Sequence, residues 1–242
     1  MRTVTALLTN KAYGYPTRGA RRRRKPTILA CLHQTSNAKA TAIQERNYAN
    51  RPDSHGPSAT AYIDRDGTVV RAIDPAKYAA WSQGDVAHPN TKLPTIAAAV
   101  ASGVNMNEWV HESIECSGAG TEPYTDAQFE AVAQLVAAAH KATGLPINRS
   151  TVVVHADINS VSRRSDPWPP ATREQRVKRV IARANAILRP PIVTVTVKAG
   201  DTLGEIAAEH RLTLAALLGF AENAKYRANP GLIHPGDIVR VK

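Results

Sequence analysis

A helix-like apolar stripe that begins at Thr172 and carries Val177, Val180, Ile181, Ala184 and Leu188 stops at Arg189-Pro190-Pro191. Prolines have no amide hydrogen and hold an extended backbone, so the helix ends here and residues 190–192 act as a stiff spacer. The chain is thereby expected to fold as separate pieces on either side. Its 242 residues are 43% hydrophobic, enough for one good core and a smaller second one.

Ahead of the spacer, strand and helix signals alternate. SATAYID and TVVRAI flank the turn Arg65-Asp66-Gly67 and predict a hairpin. Thr125, with Gln128 three residues on, caps a helix whose Phe129, Val132, Leu135, Val136 and Ala139 form one stripe, closed by Gly144 and Pro146. The apolar runs TILACL and VVV read as strands leading into His33 and His155. The expected fold is α/β, a mixed central sheet flanked by helices, with functional residues at strand ends. Beyond the spacer, an alternating VTVTV precedes a capping box from Thr202 to Glu205 and a helix carrying Leu203, Ile206 and Ala207. A second helix begins near Thr213, and Pro235-Gly236 turns into the strand DIVRV, which together give a small βααβ unit.

Two imidazoles on strand ends and a carboxylate, His33, His155 and Asp166, form the ligand set of an open catalytic Zn²⁺ site that leaves a fourth position for water. Spacing alone does not separate this from a structural His–Asp hydrogen bond. Cys31 falls on the same strand face as His33, and Cys116 on the opposite face from Glu115. Two buried, reduced thiols are therefore expected, with no disulfide. His55, His88, His111, His140, His210 and His234 have no convincing ligand partner and read as loop or surface residues.

The segments ILACLHQTS, SATAYIDRDGTVV, AAWSQGD, ESIECSG, EPYTDAQF, VVVHADI and SDPWPP, in this order across residues 27–189, resemble the zinc-dependent N-acetylmuramoyl-L-alanine amidases of the type-2 amidase and peptidoglycan-recognition superfamily. The resemblance implies one Zn²⁺ per chain on His33, His155 and Asp166. It also implies Glu115 as the proton-transferring carboxylate. A family lysine two residues before the third ligand is replaced by Arg164, which cannot act as a base but can hold an oxyanion. Thr60 stands where many relatives carry Tyr or His, and Trp81-Ser82-Gln83-Gly84 where relatives read W-H-x-G.

Residues 193–242 resemble a LysM domain, with its G-D-T-L-x-x-I-A at Gly200 to Ala207 and its closing I-x-P-G-D at Ile233 to Asp237. That resemblance implies binding of N-acetylglucosamine-containing chains by Gly200, Asp201, Thr202, Leu203, Asn229, Pro230, Gly231, Leu232 and Ile233. The stretch AENAKYRA is longer than such a module calls for. The division expected from the sequence is then a basic arm over 1–26, a catalytic domain over 27–189, the spacer, and the LysM domain.

A formal net charge of +11 raises nucleic acid as a partner. No helix-turn-helix, zinc-finger or aromatic-basic strand pattern accompanies the run Arg21 to Lys25, so attraction to anionic wall polymers is the preferred reading. No stretch of about 18 apolar residues is present for a membrane span. MRTVTALLTNKAYGYP lacks the apolar core and cleavage site of a signal peptide. These features, with the resemblance, predict a monomeric wall hydrolase of the phage endolysin type. It would be made in the host cytoplasm and released by a holin-type route. The rival expectation is a peptidoglycan-binding protein without catalysis, against which the three retained ligands stand.

Overall fold

The computed structural model describes residues 2–8, 24–37, 39–51, 58–119, 122–189 and 191–242. The chain divides into two compact units, Met1–Leu188 and Arg189–Lys242.

In the first unit the strands β1 (Thr3–Thr5), β2 (Ile28–Gln34), β3 (Ala61–Ile63), β4 (Val69–Arg71), β5 (Val110–Cys116) and β6 (Val152–Val154) form one sheet in the order β1-β4-β3-β5-β2-β6. Only the β3/β4 pairing is antiparallel, and it is the expected hairpin, turning at Gly67 with φ 84°. Every residue of β2 is buried, as an unbroken apolar run requires of a strand covered on both faces.

The helices are α1 (Ala42–Ala49), α2 (Pro94–Ala101), α3 (Asp126–Thr143), the single turn α4 (His155–Ile158) and α5 (Pro170–Leu188). On one face of the sheet, α3 and α5 bury Phe129, Val132, Val136, Val177 and Val180 against Leu32, Ile114 and Cys116. The Thr125 capping box and the left-handed Gly144 bound α3 as expected. On the opposite face, α1 contributes Ala42 and Ala49 to a cluster with Tyr62 and Val70, and α2 contributes Ile96 and Ala99 to another with Cys31 and Val153. Cys31 and Cys116 are free, buried and in separate clusters.

The structure differs from the sequence expectations at several points. The segment before residue 27 is more than a basic arm: the β-branched Thr3-Val4-Thr5 pairs in parallel with β4, and Leu8 is buried. Arg21, Arg22 and Arg23 lie outside the described residues, while the Arg24 guanidinium stands 4.7 Å over the Trp109 ring. The last helix of the unit starts at Pro170 rather than Thr172, because proline is well suited to a first helical turn. His111 sits in β5 and is 5% exposed, so it is not a surface residue; His55 lies outside the described residues.

The second unit comprises β7 (Thr194–Thr196), α6 (Leu203–Glu209), α7 (Leu214–Gly219) and β8 (Ile238–Arg240), with β7 antiparallel to β8. The added stretch forms a 3-10 turn over Ala221–Tyr226. Asn223 on it is fully buried and binds the Leu217 and Arg240 carbonyls, so the insertion belongs to this unit's core. No helix among the described residues is long and apolar enough to cross a membrane.

Candidate active site

Parallel pairing sets His33 of β2 opposite Glu115 of β5, and Glu115 opposite Tyr62 of β3. Residues in register across neighbouring strands point to one face, so three polar side chains stand in a row. His33 is one residue short of the end of β2, and His155 is the first residue of α4 rather than the last of a strand. The turn that carries His155 is fixed by Asp157, whose carboxylate accepts from Val154 N–H at 3.0 Å and, on its two oxygens, from Arg149 Nη2 at 2.9 and 2.8 Å. Asp166 arrives on the loop that ends at Trp168. This indole is fully buried against Tyr124 and Phe129, and the Tyr124 hydroxyl donates to the His33 carbonyl at 2.6 Å. A single aromatic cluster thus anchors two of the three polar residues.

The three side chains meet. His33 Nδ1 lies 3.0 Å from His155 Nδ1 and 3.8 Å from Asp166 Oδ2, and His155 Nδ1 lies 3.0 Å from that same oxygen. Ligands about 2.0–2.2 Å from a tetrahedral ion sit roughly 3.3–3.5 Å from one another, so this triangle has the size of one tetrahedral face. The protonation states agree. His155 Nε2 is 2.9 Å from the Gln83 carbonyl, which can only accept, so Nε2 carries a proton and Nδ1 is the ring nitrogen turned to the triangle. Burial lowers the His33 pKa to about 4, leaving its imidazole neutral at pH 7. Burial acts to raise the Asp166 pKa, but hydrogen bonds from His155 and His33 outweigh it and hold the carboxyl well below the usual range. Asp166 Oδ1 accepts from the Gln34 N–H at 2.9 Å, which leaves Oδ2 for the triangle. A carboxylate and two imidazole nitrogens at this spacing fit a divalent cation, and His33, His155 and Asp166 can hold one.

A cleft of about 180 Å³ opens at this point, lined among others by Glu45, Tyr48, Tyr62, Ser82, Glu115 and Arg163. Glu115 Oε2 is buried without a hydrogen-bond partner. Burial, then the charges of Asp166 and Glu45, raise its pKa well above the ordinary carboxylate value, with Arg163 opposing. The structure places Arg163 in the cleft wall; Arg164 is exposed, outside that wall, and its carbonyl accepts from Arg173. Thr60 does not reach the cleft lining, because its hydroxyl donates to Glu112, itself paired with Arg71 at 2.7 Å. Tyr62, Gln83 and Arg163 are site residues that the sequence reading missed. Only Tyr62 carried a usable signal, since it alternates with Thr60 and Asp64 along a predicted strand.

In the second unit, Gly200 has φ 92°, Asp201 accepts from Lys198 N–H, and Thr202 caps α6. Leu203 is 2% exposed and packs in this unit's core, whereas Leu232 is 60% exposed.

The family described as N-acetylmuramoyl-L-alanine amidase matches residues 23–169, and the LysM domain matches residues 195–242. No curated protein matches the chain. Among solved structures, a mutant of PlyL is 15% identical with a TM-score of 0.52, over 77% of this chain and 99% of that one. A mutant endolysin from Bacillus subtilis is 12% identical with a TM-score of 0.51, over 74% and 99%. At such identities the likeness is one of fold.

Proposed function

The chain belongs to the N-acetylmuramoyl-L-alanine amidase family and is a peptidoglycan amidase; on that footing we propose that it is a zinc enzyme whose site is His33, His155 and Asp166 with Glu115. The observation that carries this reading is the tetrahedron-sized triangle of three metal-type donors beside a carboxyl whose Oε2 is buried and unpaired. When bound, zinc supplies a Lewis acid that polarises the scissile carbonyl and makes water more acidic.

The remaining work falls to the chain's own groups. The cleft admits the amide between the lactyl group of N-acetylmuramic acid and L-alanine. As water adds to the carbonyl carbon, Glu115 takes its proton; as the C–N bond breaks, Glu115 returns that proton to the L-alanine nitrogen. Its raised pKa helps it keep the proton between the two events. The guanidinium of Arg163, facing the cleft, stabilises the oxyanion, and that of Arg164 adds to the field from outside. Neither arginine can take a proton at neutral pH.

Digestion of purified peptidoglycan is expected to release new L-alanine amino termini with no new reducing sugar ends, read by mass spectrometry of the products. Reducing ends without free alanine amines would make the enzyme a glycosidase.

Residues 195–242 are a LysM domain and indicate peptidoglycan binding. We assign its glycan contacts to Gly200, Asp201, Thr202, Leu203, Asn229, Pro230, Gly231, Leu232 and Ile233, with the buried Leu203 acting through its backbone. One such groove binds weakly, but joined to the catalytic unit it raises the local substrate concentration. A chain ending at Arg189 is therefore expected to hydrolyse a soluble muropeptide at about the full-length rate and to clear intact wall far less well. The fragment Val193–Lys242 should pellet with insoluble peptidoglycan. Loss of activity on the soluble substrate, with metal retained, would refute this division of labour.

The setting we propose is lysis of a bacterial wall by a phage-type endolysin, acting as a monomer with one Zn²⁺. The enzyme would be made in the host cytoplasm and reach the wall by a holin-type route. The net charge of +11 supports its approach to anionic wall polymers, which attract a cationic protein at long range.

A further inference from the structure

Asn107 is 4% exposed and lies on the 3-10 turn Met106–Trp109, which leads directly into β5. Its Oδ1 accepts two hydrogen bonds, from Ser82 N–H and from Gln83 N–H, both at 3.0 Å. The orientation of its amide is settled from the other side: Asn107 Nδ2 donates to Asn105 Oδ1 at 2.7 Å, so the remaining oxygen faces residues 82 and 83. The next carbonyl along, that of Gln83, receives His155 Nε2–H at 2.9 Å. The segment from Trp81 to Gly84 belongs to no helix or strand. Ties to Ser58 hold it at Trp81, and the backbone of Ser82 and Gln83 is held by the one Asn107 oxygen.

We propose that Asn107 is a positioning residue for the metal site: by fixing the backbone that leads into the Gln83 carbonyl, it fixes the ring direction of His155. The physical case is that a ligand imidazole depends on the acceptor of its other N–H, and that acceptor is useful only where the backbone carrying it is held. Here two bonds to one buried oxygen hold the peptide units 81–82 and 82–83, so the Gln83 carbonyl, in the next unit, is left to turn only about the backbone bonds at the Gln83 Cα. The proposal rests on the zinc reading of His33, His155 and Asp166.

The test uses the full chain and zinc alone, with affinity measured by competition against a chromophoric chelator. Asn107→Ala is expected to weaken zinc binding about 10- to 100-fold, the range for losing an outer-shell partner. Asn107→Asp, which keeps an acceptor oxygen, should recover most of that affinity. Affinity within about twofold of wild type in Asn107→Ala, or equal losses in the Ala and Asp variants, would overturn the proposal, since an outer-shell partner is worth tenfold or more. Should Asn107→Ala fail to fold, the exposed Asn105→Ala decides: it should show a smaller loss of zinc affinity, and no change overturns the proposal. A wild-type chain that binds no zinc would instead refute the zinc reading beneath it.

Discussion

His155→Ala is expected to bind no zinc at stoichiometric concentrations and to lose at least about a thousandfold in amide hydrolysis, because Lewis-acid stabilisation of several kcal/mol disappears with the ion and each 1.4 kcal/mol is a factor of ten. The loss follows from the geometry around this ring. His155 Nδ1 makes both of the 3.0 Å contacts in the triangle, so without it His33 and Asp166 are left as two donors 3.8 Å apart, too few for an ion held by three. The fold should persist, since the strand before His155 is held by its pairing with β2 and by Asp157. Metal analysis, circular dichroism and product release on the same preparation separate these outcomes. A folded His155→Ala chain with one zinc and near wild-type hydrolysis would end the assignment.

Glu115→Gln should do the opposite to the metal and nearly the same to the rate. Zinc stays, because Glu115 is outside the triangle, while kcat falls about 10²- to 10⁴-fold, the usual worth of a positioned proton carrier. An amide of the same shape leaves the cleft and the His33–Glu115–Tyr62 row in place, so KM should change little. A reduction of less than about tenfold would move the proton transfer to another group, because a positioned general base contributes more than that.

The parts of this molecule legible in the sequence are those governed by periodicity. The stripe of α3 and its caps, the hairpin at Gly67 and the all-buried β2 each follow from local spacing. So does the placing of His33 on a strand. What was not legible depends on contacts between segments with no common period. Gln83 meets His155 across 72 residues, and Asn107 meets Ser82 across 25, and nothing in Trp81-Ser82-Gln83-Gly84 signals either bond. Neighbouring arginines at 163 and 164 are indistinguishable in sequence; the path of an irregular loop decides which one faces the cleft. The N-terminal strand was hidden for another reason. Three residues of β-branched character ahead of a basic run give too short a pattern to separate from a tail, and only the open edge of β4 makes a strand of them.

The wide separation of the metal-type donors has a meaning for a protein made from its N-terminus onward. His33 is synthesised well before its partners, which lie 122 and 133 residues later, and the Trp168 anchor that fixes the third comes later still. Domains assemble as units once enough chain has emerged, and α5, which completes the face behind the site, ends at Leu188. A nascent or truncated chain that stops short of Asp166 carries His33 without the full set of donors. On the proposed site, activity against a wall polymer is therefore expected only once the late residues of the catalytic unit have been made.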